Sequence, residues 1–154
     1  MKLHKILFFV FVAGFSSVTL ANSITITADQ VDSGKDFMGK VQCKVKFSIT
    51  NNSTGTIHRV RALLKGYDDR GREVDTVLAA AASNQKGFSY LPIPVGGSVS
   101  GVGDATFKEE CQYLSAIAIK KVDEDDCAIR MMPEDLKCIS IIDLKSTVPT
   151  LQVK

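Results

Sequence analysis

Between residues 41 and 50 the chain alternates without a break. Val41, Cys43, Val45, Phe47 and Ile49 are apolar, while Gln42, Lys44, Lys46, Ser48 and Thr50 are polar. A period of two puts one set on each side of a pleated strand, so one face is buried and the other wet. A strand of this kind is stable only inside a larger sheet. The rest of the chain must therefore supply its neighbours.

It does so in the same idiom. Asn51-Asn52-Ser53-Thr54-Gly55 is a turn cluster, and residues 57–67 read as a second strand. There Val60, Ala62 and Leu64 share one face, and Arg59, Arg61 and Lys65 the other. Asp68-Asp69-Arg70-Gly71 turns the chain again, towards a third strand over 73–79. Residues 98–107 form a glycine-interrupted strand, expected at an edge or bulged. Residues 113–122 follow, with Tyr113, Ile117 and Ile119 in one register, and Asp123-Glu124-Asp125-Asp126 reads as an acidic turn. Short strands are expected over 24–28, 127–131 and 138–144, and Pro133 suits the start of one helical turn over 132–137. The long connection 80–97 is weakly patterned. Together these predict an all-β protein: an antiparallel immunoglobulin/fibronectin III-like sandwich of seven or eight short strands, in one domain over 22–154.

The first 21 residues read as a secretory signal. Lys2 and Lys5 precede an apolar run over 6–15, and Thr19-Leu20-Ala21 offers small residues at a cleavage site. The run is too short to span a bilayer, and no cysteine lies nearby for a lipid anchor. The expected location is secreted, with the periplasm as the alternative. Without Lys2 and Lys5, the 19 basic side chains fall to the same number as the 17 acidic ones. A net-zero chain has no global field to draw in nucleic acid or an anionic membrane.

All four cysteines, Cys43, Cys111, Cys127 and Cys138, lie beyond the signal. An even count in an exported chain predicts two disulfides, with three connectivities open. In an immunoglobulin-like strand order, the strands that start near Cys43 and Cys111 lie in opposite sheets and run the same way. That favours Cys43–Cys111, with Cys127–Cys138 clipping the C-terminal excursion. Cys111–Cys138 with Cys43–Cys127 is the rival pairing. No CxxC pair is present, so no metal site is expected.

Phe47-Ser48-Ile49-Thr50-Asn51-Asn52-Ser53, Val60 to Leu64 and Gly66-Tyr67-Asp68-Asp69-Arg70-Gly71 resemble the FxLYD-type domain of bacterial exported proteins. Leu64-Lys65-Gly66-Tyr67-Asp68 stands at the naming motif, with Leu64 and Gly66 replacing its Phe and Leu. Pro94-Val95-Gly96-Gly97-Ser98 and Phe107 are similar to a later turn and strand of that family. The resemblance implies a fibronectin-like binding or structural module. The size, signal and pattern also resemble a family of secreted interleukin-receptor mimics. That second resemblance implies virulence, host cytokines as partners and a domain-swapped homodimer.

Catalysis is not expected. His58 is the one histidine beyond the signal, and no GxSxG or HExxH pattern accompanies it. It reads as a partly exposed residue at a strand start. The acidic run 123–126 lacks calcium-loop spacing and reads as a solvated turn. No cofactor is expected. Two features point to a protein partner. One is a basic stripe, Lys44, Lys46, Arg59, Arg61 and Lys65, which forms a patch only if its strands are neighbours. The other is an apolar run in the connection, Phe88, Tyr90, Leu91 and Ile93, stiffened by Pro92 and Pro94, which serves as a partner site if exposed and as a strand or a lid over the sandwich edge if packed. The expected function is a secreted, non-catalytic protein-binding module. The alternatives are a periplasmic envelope assembly or structural module, and an enzyme inhibitor that presents residues 86–97.

Overall fold

In the computed structural model the alternating segment is β2 (Val41–Asn52), and it lies in the middle of a layer. Cys43, Val45, Phe47 and Ile49 are fully buried. The polar set faces out, where Lys44 pairs with Asp104, and Lys46 with Asp32 at 2.6 Å. The structure describes residues 22–81, 85–86, 89–90, 92–129 and 138–154. Residues 1–21, expected to be a secretory signal, and the helical turn expected over 132–137 lie outside the described residues.

One neighbour of β2 is β1 (Ser23–Lys35), antiparallel and bulged between Ala28 and Gln30. The other is β8 (Ser98–Phe107), also antiparallel. β8 is bulged, as its glycines suggest: Phe47 faces Gly103 but Ser48 faces Ser100, with Gly101 at φ 65° taking up the extra length. It is not an edge strand, because it pairs on its far side with β5 (Thr76–Ala81).

The second layer is built on β3 (Ile57–Asp68). It pairs with β4 (Glu73–Val74) and, over most of its length, with β9 (Leu114–Ile129). β5 joins the layers: Thr76 to Ala79 run along β8, and Ala80 and Ala81 then meet Leu63 and Ala62 of β3. The two inner faces share one core, with Ile24, Ile26, Phe47 and Phe107 from the first layer and Val60, Leu64 and Ile117 from the second. A Cβ on Gly66 would stand 2.7 Å from the Phe107 ring and 2.9 Å from Leu114. Phe107 thus occupies the space that a side chain at position 66 would need.

A small hairpin, β6 (Gln85–Lys86) with β7 (Ser89–Tyr90), stands apart as a two-stranded sheet. After a 3-10 turn (Cys138–Ile141), β10 (Ile142–Ser146) lies parallel to β1. The chain then crosses over buried Leu151 to β11 (Gln152–Val153), parallel to β9. Lys154 finishes with its ammonium 4.3 Å from the centre of the Tyr67 ring.

The all-β, sandwich-like expectation therefore holds, with corrections. Pairing is antiparallel except at both edges, where the C-terminal segment adds parallel strands. Eleven strands are present among the described residues, not seven or eight, and several are long. The acidic run 123–126 is no turn between strands. β9 continues through it, because the pairing of Val60 with Cys127 and of Ala62 with Val122 lets residues 123–126 bulge opposite the single residue Arg61. Residues 138–141 form a 3-10 turn rather than a strand.

Cys43 and Cys111 form a disulfide with 4.7 Å between their Cα atoms. It ties the start of β2 in one layer to the loop before β9 in the other. Cys127 is disulfide-bonded, and free cysteines are absent among the described residues. The side chain of Cys138 lies outside the described residues.

Candidate functional site

Two turns at the disulfide end share one construction. In the β1–β2 turn, Asp36 Oδ1 accepts hydrogen bonds from the backbone N–H groups of Met38 and Lys40, both at 2.8 Å. Asp36 N–H donates to the Lys40 carbonyl, and Gly39 N–H to the Asp36 carbonyl. In the β3–β4 turn, Asp68 Oδ1 accepts from Arg70 and Arg72 N–H at 3.0 and 2.8 Å, and the same two backbone bonds recur. Both turns close on a glycine in the left-handed region, Gly39 at φ 80° and Gly71 at φ 76°. The pattern Asp-x-x-Gly-Lys/Arg encodes both, since a short carboxylate reaches the amides two and four residues on.

The two turns differ in what they hold out. Asp68 is buried, and its second oxygen takes the Arg72 guanidinium at 2.7 Å (Nε) and 2.6 Å (Nη2). Burial by itself would raise its pKa, but Arg72 and the two turn amides outweigh that and hold it below the ordinary carboxylate range. The residues between, Asp69 and Arg70, are charged. The first turn instead projects Phe37, 96% exposed, and Met38, 62% exposed, with Val41 beside them. A fixed turn that aims an aromatic ring into water is unusual unless the ring is used.

The loop 108–113, tethered through Cys111, stands between the turns. On one side of it a cleft is lined by Asp68, Asp69, Arg70, Arg72, Glu109 and Tyr113. On the other, a cleft of about 200 Å³ is lined by Asp36, Met38, Lys40, Val41, Gln42 and Lys108. Tyr113, expected in the buried register of its strand, sits just before β9 and is 46% exposed.

The residues singled out from sequence lie elsewhere. Phe88 and Leu91 lie outside the described residues, as does the side chain of Tyr90, whose backbone pairs with Gln85. Ile93 is a correction: it is fully buried rather than part of an exposed run. It exchanges backbone hydrogen bonds with Ile57 at 2.9 and 3.0 Å, and its carbonyl accepts from the buried Asn51 side chain at 2.9 Å. Asn51 also donates to the Gly55 carbonyl and accepts from Ser53, so it ties the 51–55 turn to the 92–97 loop.

The basic stripe is divided. Consecutive strands β2 and β3 enter different layers, so Lys44 and Lys46 are separated from Arg59, Arg61 and Lys65. Arg59 and Arg61 are half-buried on β3, where Arg61 faces the acidic bulge of β9. His58 is exposed near the start of β3. Among the described residues no His, Cys, Asp or Glu cluster is placed to hold a metal ion, and no helix is long and apolar enough to cross a membrane.

The Phe37–Met38 tip escaped the sequence reading because alternation treats apolar residues as buried. The repeated Asp-x-x-Gly-Lys/Arg pattern was the available signal, since it places the two central residues at a turn tip. No family model, curated protein or solved structure matches the chain.

Proposed function

We propose that this chain is an exported, non-catalytic protein-binding module that docks its partner at the disulfide end. The observation that carries this reading is Phe37, 96% exposed on a turn fixed by its own hydrogen bonds. Such a turn loses little entropy on docking, and burying an aromatic ring contributes about 1.5–3 kcal/mol. The Cys43–Cys111 bridge supports a location outside the cytosol, where disulfides persist. A second bridge, Cys127–Cys138, belongs to the same proposal.

The resemblance to fibronectin-like modules and interleukin-receptor mimics supports a host protein, such as a cytokine, as partner. Association of two copies through residues 88–91 is a separate proposal, and envelope assembly is the competing role. Fractionation of cells that express the chain separates the roles: recovery from the medium supports the first, and retention in the envelope the second. Affinity capture with wild-type protein and with Phe37→Ser/Met38→Ser then tests the surface. Partners held by the wild type and lost by an equally stable variant support it. Equal capture by both removes the disulfide end as the binding surface.

A further inference from the structure

The cleft beside Phe37 has a chemistry that narrows the partner. Its apolar wall is Met38 and Val41, next in the chain to the exposed Phe37, and its charged side chains are Lys40, Lys108 and Asp36. The one carboxylate in the lining, Asp36, aims an oxygen at the amides of its own turn. Lys108 reaches Asp75 only at 3.6 Å, and Asp75 is itself 84% exposed, so that pair is easily exchanged. Glu109 lines the opposite cleft. At about 200 Å³ the space is smaller than the roughly 300 Å³ at which small-molecule sites begin, and it suits a single side chain.

We infer that this cleft takes an acidic, apolar protein segment, with a carboxylate between Lys40 and Lys108 and an adjacent aliphatic side chain against Met38 and Val41. The inference rests on the protein-binding reading and names the chemistry of the same surface. The disulfide has a part in it: Lys108 is three residues from Cys111, whose bond to Cys43 holds that loop beside the first turn. The Lys108 N–H bond to the Asp75 carbonyl at 2.8 Å fixes the backbone there.

The test uses the oxidised, isotopically labelled protein and three synthetic pentapeptides that alternate leucine with glutamate, glutamine or lysine. Each is titrated to about 5 mM while amide resonances are followed, a range that detects millimolar affinity. The glutamate peptide is expected to shift the amides of residues 36–42 and 108. It should bind at least about tenfold more tightly than the lysine peptide, and the difference should shrink with added salt. Lys40→Glu/Lys108→Glu, which changes only surface groups, should reverse that order at unchanged melting temperature. Equal binding of all three peptides at those amides overturns the acidic partner and leaves the docking surface standing. Shifts confined to other residues, or no shifts, overturn the inference outright. Cross-linking from position 37 then decides separately whether the docking surface survives.

Discussion

Cys43 and Cys111, 68 residues apart in sequence, are joined across the two layers at the end that carries the exposed turn. Their bond closes a long loop in the unfolded chain and holds the 108–113 loop against the start of β2. Cys43→Ala with Cys111→Ala should lower stability by about 4 kcal/mol in urea titration. A loss below about 1 kcal/mol would show that packing alone aligns the two layers.

Gly66 is held open for the Phe107 ring. Gly66→Ala should cost about 1–3 kcal/mol, because the ring or Leu114 must shift. The cost should fall when Phe107→Leu is already present, which a double-mutant cycle in urea will show as coupling. Independent effects would place the strain elsewhere.

Asn51 is fully buried and uses both ends of its amide. Asn51→Ala should cost about 1–3 kcal/mol and speed hydrogen exchange at Ile57 and Gly96, whose N–H groups bond within the same knot. Asn52→Ala, at an exposed neighbour, should stay within about 0.5 kcal/mol of wild type.

Asp68 gives the pH dependence a sign. Its folded pKa lies below its unfolded one, because Arg72 and two turn amides outweigh the effect of burial. The unfolded chain therefore takes up the proton first as pH falls. The stabilisation is fully present above the ordinary carboxylate pKa of about 4 and is lost as pH falls through the folded value. Asp32, lowered chiefly by its hydrogen bond from Lys46, acts in the same direction. Urea midpoints measured against pH should drop at the acid end, and Asp68→Asn should flatten that drop. An unchanged slope in Asp68→Asn would assign it to other carboxylates.

The central strands were legible because local alternation and final burial agree in them: β2, β3 and β8 fall close to the spans read from Phe47, Leu64 and Phe107. Cys43 and Cys111 were legible as a pair because strand parity and sandwich order both point to that bond. The parallel edges were not, since Ile24 pairs with Ile142, 118 residues further on, and no local pattern in either segment points to the other. Charge misled at residues 123–126: a run of carboxylates looks like a solvated turn, yet β9 carries it through as a bulge opposite Arg61. Adjacency misled with the lysines and arginines, because a sandwich sends successive strands to different layers. At Ile93, proline-rich surroundings looked like an exposed loop, but the bridge to Ile57 draws that side chain into the core.

The contact role proposed for Phe37 sets its exposure apart from an accident of the turn. It is tested most directly by placing a photo-crosslinking benzoylphenylalanine at position 37 and, separately, at Val95, which is 57% exposed at the opposite end. Irradiation of the oxidised protein in contact with serum and with bacterial envelope extract should give a discrete adduct from position 37 and none from position 95. An adduct from position 95 alone, or from neither, would contradict the account.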